Sequence, residues 1–458
     1  MCMTSIQRAV RRLSARLTAL CLGLSAALTS SHALADSQPE RPMPDYDGRG
    51  GKGQPTTPGQ VVLWVPRIVL FPLYVVSEYV IRRPLGYGIT AAEKANLPAQ
   101  LYDFFAFGPD HKAGIVPTAF IDFGFLPSVG LYAFWDDAGF KGHALRAHGS
   151  TWGPEWLSGS LVDRVQLSRT STVGLSVSAL HRPDFAFYGV GPDTPESNLS
   201  RYGADIVDAR ATWRAGLWRS SSLETNFGYR AVSFRPGDYG GEPSITAEAQ
   251  TGALAIPDGY VGGYRAPFLE SQLTLDTRPE EATSESGGRL VLQGEQGNDL
   301  KHESAGWLRY GATLGGFLDL GDRGRILSLS VAAELSDPTG ERPVPFTELS
   351  TIGGNDKMPG FRGGRLYGRS LAVSTLRYAW PIWTWLDGSL QAAVGNVYGK
   401  HLEGLSWGES RFSGAVGIES RGSRDSVFQL LVGFGTETFN SGADVNSIRV
   451  VAGARSGF

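Results

Sequence analysis

Of 458 residues, 60 are glycine, close to twice the roughly 7% usual in proteins, and only 41% are hydrophobic, which excludes a bundle of membrane helices. Lysine plus arginine number 42 against 45 aspartate plus glutamate, and the net charge of -3 is too even for a nucleic-acid binder that neutralises phosphates. Cys2 and Cys21 are the only cysteines, both near the start, so redox chemistry and cysteine metal sites are excluded downstream of them.

The chain opens with Arg8, Arg11, Arg12 and Arg16, an apolar run from Leu17 to Leu28, and the small-residue pattern Ala33-Leu34-Ala35 before Asp36. This order predicts a cleaved secretory signal over 1–35; the run is too short for ~30 Å of hydrocarbon, and Leu20 before Cys21 argues against lipidation. Its removal leaves 423 residues (458 − 35), enough for two or three domains or one large closed sheet. Residues 36–60, rich in Pro, Gly, Asp and Thr, read as a flexible periplasmic linker. Residues 61–114 read as a short helical segment at the membrane face: Val61 to Ile81 is apolar but broken by Pro66 and Pro72 and charged at Arg67 and Glu78, and a second helical patch is expected from Ala91 to Phe107.

Beyond Gly114 the apolar pattern turns to period two. Leu327, Leu329, Val331, Ala333 and Leu335 alternate with Ser328, Ser330, Ala332 and Glu334, and Phe428, Leu430, Val432 and Phe434 alternate with Gln429, Leu431, Gly433 and Gly435. Strands are expected at 119–125, 128–137, 142–152, 160–168, 171–181, 201–214, 222–234, 267–278, 287–295, 304–319, 325–336, 370–381, 387–398, 411–420, 426–435 and 445–458. The long connections 182–200, 235–266 and 337–369 all follow odd-numbered strands, so they fall on one side. That asymmetry predicts an all-β fold: a sixteen-stranded antiparallel transmembrane β-barrel over 115–458, with short periplasmic turns and long outer loops. Closure follows because an unpaired amide in lipid costs several kcal/mol. Trp135, Trp152, Trp213, Trp218, Trp380, Trp383 and Trp385 near strand ends suit interfacial girdles.

Three segments look like the barrel of the BamA and TamA outer-membrane assembly family, also called bacterial surface antigens. They are Phe187-Tyr188-Gly189-Val190-Gly191 with Asp193-Thr194; Leu275-Asp276-Thr277-Arg278-Pro279 with Gly287-Gly288; and Gly353-Gly354-Asn355-Asp356-Lys357-Met358-Pro359-Gly360-Phe361-Arg362-Gly363-Gly364-Arg365-Leu366. The last falls in the sixth outer loop, which the resemblance implies is folded into the barrel. Phe458, closing an alternating strand, resembles that family's terminal assembly signal. The chain departs from the family at Pro359, where an arginine is usual, and at Ala393 and Val394, where the aspartate that receives it would stand. Both partners of one ion pair are thus missing together, which is nearly neutral, whereas one alone would be costly. Arg362 or Arg365 is expected to anchor the loop instead, through a lumenal carboxylate such as Asp276 or Glu334, with Arg278 beside the first of these. Residues 36–114 lack the alternation of a periplasmic POTRA module, and no patatin-like lipase domain fits.

Gly404-Leu405-Ser406-Trp407-Gly408 matches the hydrolase nucleophile pattern, but His401, the last histidine, lies upstream, and the remaining histidines have no ligand-like spacing. No enzyme, metal or cofactor is expected. The resemblance implies a bacterial outer-membrane protein that moves or inserts a client protein, with lipid as its other partner and no nucleic acid. A solute pore and a structural surface-exposed protein are the alternatives, and the oligomeric state is left open.

Overall fold

The computed structural model describes residues 104–279, 286–320, 325–355, 357–383, 386–420 and 426–456. The expected signal, the linker, the helical segment as far as residue 103, and Phe458 lie outside them.

Sixteen strands form the barrel: β1 (Ala113–Asp122), β2 (Ser128–Asp136), β3 (His143–Thr151), β4 (Leu157–Gln166), β5 (Ser171–Phe187), β6 (Ser200–Gly216), β7 (Ser222–Pro236), β8 (Tyr264–Asp276), β9 (Gly287–Asn298), β10 (Gly306–Asp319), β11 (Ile326–Pro338), β12 (Ser370–Trp383), β13 (Leu386–Tyr398), β14 (Arg411–Ser420), β15 (Ser426–Thr438) and β16 (Val445–Ser456). Each pairs antiparallel with the next, and β16 returns to β1, so the sheet closes. Among the described residues no helix is long and apolar enough to cross a membrane.

Alternation builds the wall. On β15, Phe428, Leu430, Val432 and Phe434 are exposed and face lipid, whereas Gln429 and Leu431 are buried inside. On β6 to β11 the inward positions carry charge, among them Asp208, Arg210, Arg230, Glu270, Glu295, Arg309 and Glu334, and most of these pair with one another along the lumenal face of the wall. Trp135 and Trp213 are exposed near the periplasmic ends of β2 and β6 and Trp218 in the turn after β6, while Trp152 and Trp407 are exposed in outer loops. These rings sit where a headgroup region would meet them.

Three outer loops close the top. The turn around Phe346 in the sixth loop packs edge-on against Phe187 and Tyr202, with centroids 5.4 and 5.3 Å apart, and against Phe234 at 5.1 Å. The fourth loop adds Tyr260 and one helix, α1 (Ile245–Thr251), capped by the Ser244 hydroxyl and ended by left-handed Gly252.

Two sequence expectations need correction. The first strand occupies 113–122 rather than 119–125, and residues 123–127 are its outer turn. Within the segment expected to be helical, Ala106–Phe107 form a short strand on Gly114 and Ala113, the latter two already part of β1. The outward face of β1 is apolar (Ile115, Ile121), but its inward face mixes Val116 and Phe120 with Thr118 and Asp122, so the period-two signal is weak.

Candidate functional site

The sixth outer loop (339–369) turns down into the lumen. A three-residue ribbon, Ser350–Ile352 paired with Leu366–Gly368, carries it inward. Gly353 and Gly354 then reverse the chain with φ of +115° and +82°. Ile352, Met358, Phe361 and Leu366 pack against Leu371 and Val373 of β12 and Ala393 and Val397 of β13. The tip docks on β14 and β16: Gly360 donates its amide to Ser413 Oγ at 2.9 Å and accepts from Ser447 Oγ at 3.1 Å. Contact is that close because the facing β15 positions are Gly433 and Gly435. A Cβ on Gly435 would stand 2.3 Å from the Phe361 ring.

Charge holds the loop with both polarities, because the wall supplies cations to the loop as well as carboxylates. Glu348 of the loop is buried and accepts from Arg230 of β7 at 2.8 Å and from the Tyr264 hydroxyl, with Arg309 of β10 at 3.6 Å. Arg449 of β16 donates to Gly354 O at 2.7 Å, Pro359 O at 3.2 Å and Asn355 Oδ1 at 2.9 Å. The same guanidinium donates to Asp122 of β1 at 2.7–3.2 Å, so one side chain touches the loop, the last strand and the first.

The expected anchors lie as follows. Arg365 is fully buried and does fasten the loop, but to the third outer loop: to Thr194 Oγ1 at 3.0 Å, Thr194 O at 2.7 Å and Glu196 at 2.9 Å, over the Tyr188 ring. Arg411 of β14 donates to the same loop at Pro192 O, 3.1 Å. Arg362 lies over Gly124 in the β1–β2 turn, where a Cβ would stand 2.6 Å from its Nε. Gly364, left-handed at φ +79°, lies against Ala186 O of β5. Neither arginine reaches Asp276 or Glu334. Asp276 ends β8 on the periplasmic side and is taken by Arg278, at 2.6 and 3.0 Å, which clamps its own turn. Glu334 does receive a loop cation, that of Lys357 at 3.1 Å, together with Gln293 at 2.9 Å. Ser406 stands in the outer loop between β13 and β14, where its hydroxyl accepts from Glu409 N at 3.3 Å.

The seam between β1 and β16 is the second feature. Among the described residues only Val451, Ala452 and Gly453 oppose Asp122, Ile121 and Phe120, three pairs, whereas the next shortest ladders of the barrel wall, β1–β2 among them, have eight. Phe123 donates its amide to Val450 O at 3.0 Å. By the alternation of an antiparallel strand, the odd residues of β1 therefore aim their backbone groups at β16. Pro117 is one of them and has no N–H to give. Gly453 has φ +141°, and a Cβ there would strike Ala119 O at 2.1 Å, so the ladder ends at a position only glycine tolerates.

A family model for the Omp85 superfamily domain matches residues 156–427, more than half of the chain. The chain belongs to the Omp85 superfamily. Among solved structures, this Omp85 barrel is similar to BamA from Haemophilus ducreyi lacking POTRA domains 1-3, at TM-score 0.51 and 12% identity over 75% of this chain and 70% of that one. It is also similar to CdiB from Escherichia coli, at TM-score 0.50 and 10% identity over 76% of this chain and 64% of that one. At such identities the likeness is one of fold. No curated protein matches the sequence. The Omp85 membership and the closed, lipid-faced sheet make this a bacterial outer-membrane β-barrel.

Proposed function

We propose that this barrel helps a client protein into or across the outer membrane by lending it the free edge of β1. The observation that carries the reading is the three-pair seam, which among the described residues stops before Pro117 and leaves residues 115–119 of β1 without a partner strand from β16. Unpaired amides within hydrocarbon cost several kcal/mol each, so this edge is the place in the wall where an incoming strand gains most. The edge already accepts one short strand, since Ala106–Phe107 pair with its periplasmic end. A client arriving from the periplasm meets that end first. The likeness to the BamA barrel supports the same reading. The folded-in loop, which is bonded to the lumenal wall from β7 to β14, favours a gated translocator over a steady solute pore. Lipid of the outer membrane and a client protein are the partners this requires.

The test replaces Ile121 and Ala452 with cysteine. They face each other across the seam, and the ~5.5 Å Cα separation of a hydrogen-bonded antiparallel pair lies within the disulfide range. Vesicles containing this variant receive an eight-stranded outer-membrane barrel diluted from urea, and its folding is followed by gel mobility and protease resistance. The reduced form accelerates folding over empty vesicles and the oxidised form does not. Equal rates with the seam locked or free would rule out lateral templating.

A further inference from the structure

Arg449 is 2% exposed, and its guanidinium is shared between two partners that belong to different mechanical parts. Nε and one terminal nitrogen bind the Asp122 carboxylate across the seam. The terminal nitrogens also hold the sixth loop at Gly354 O, Pro359 O and Asn355 Oδ1. Asp122 supplies the only formal negative charge among these acceptors; the loop offers neutral oxygens. A buried guanidinium facing only neutral acceptors is strongly disfavoured. When β16 leaves β1, Arg449 loses its carboxylate and must regain water or another anion, and it can do so only by giving up the loop oxygens. Loop and seam share further ground: Gly360 accepts from Ser447 of β16, and Arg362 covers the Gly124 turn that follows β1.

We propose that Arg449 and Asp122 form a latch that couples withdrawal of the sixth loop to opening of the seam, so that the loop is held inside only while the first and last strands are paired. This rests on the seam being the client's docking edge and names what regulates it. Arg449 is a positioning residue in this scheme: it touches no client, and it sets which loop position goes with which seam state.

The loop carries its own reporters, since Lys357, Arg362 and Arg365 are trypsin sites. Vesicles holding the Ile121→Cys/Ala452→Cys protein are treated with trypsin, oxidised or reduced, and cleavage within the sixth loop is timed by fragment mass. Coupling of ordinary allosteric size predicts that oxidation slows cleavage by about fivefold or more. In the Asp122→Asn background cleavage is fast and oxidation changes it by less than about twofold, while Asp122→Glu restores the response. Gel mobility without heating shows whether each variant is folded. Identical cleavage of the oxidised and reduced forms with Asp122 in place would overturn the latch, and that comparison stands even if Asp122→Asn fails to fold. No client is present, so this failure would leave lateral templating standing, and a failure of templating would show in the client-folding assay and not in this one.

Discussion

A Cβ on Gly433 of β15 would stand 2.9 Å from the Cα of Gly360 at the tip of the sixth loop, so the loop docks in a slot cut by missing side chains. Gly360 is as constrained from its own side, since its Cβ would lie 1.9 Å from Phe434 O. Filling the slot forces the tip out of the lumen, because over-packing by a few carbons costs about 1–3 kcal/mol and the loop has solvent to escape into. Gly433→Val is expected to raise single-channel conductance in planar bilayers severalfold over the native barrel. An unchanged trace would mean that the loop is held elsewhere.

The Glu348–Arg230 pair at 2.8 Å sits within a shared network that includes Asp208, Glu295 and Arg309. Residues in one buried network couple by about 0.5–3 kcal/mol. Glu348→Gln and Arg230→Gln should each lower the temperature at which the barrel loses its unheated gel mobility. The double variant should lose less than the sum of the two.

Pro117 brings no amide to the lower half of the seam. Pro117→Val gives β1 an amide aimed at β16 and a β-branched residue suited to a strand. Hydrogen exchange at Ala119 should slow, and acceleration of client folding should fall. Faster client folding by Pro117→Val would contradict the role assigned to the free edge.

Val432 is exposed on the lipid face of β15, whereas Gln429 on the same strand faces inward. An arginine near mid-bilayer on the lipid face of a barrel costs about 2–4 kcal/mol. Val432→Arg should therefore destabilise the protein by that amount in unfolding titrations, and Gln429→Arg by much less.

Most of the wall is legible in the sequence because a strand between lipid and a polar lumen must alternate, as Phe428 to Gly435 do. The position of β1 is not, because its inward face mixes Val116 and Phe120 with Thr118 and Asp122 and Pro117 interrupts it. The loop shows through its glycines, of which Gly353 and Gly360 stand at close contacts that admit nothing larger. Its partners do not, since Arg365 ends on Glu196 and on the carbonyl of Thr194, and main-chain oxygens leave no trace in sequence. Arg449 does leave one. Ile448, Val450 and Ala452 set the outward register of β16, which turns the arginine between them inward, and Arg230 and Arg309 are marked in the same way on their own strands.

The most direct test of lateral templating places a photo-cross-linking amino acid at Ala119, on the free edge of β1, in the Ile121→Cys/Ala452→Cys protein. Urea-diluted eight-stranded barrel is added to vesicles, the sample is irradiated during folding, and the adducts are mapped. Adducts to one terminal strand of the incoming protein, formed while the two introduced thiols are reduced and lost once they are oxidised to a disulfide, are the predicted result. Adducts scattered along the incoming chain, or equally abundant with the seam locked, would contradict it.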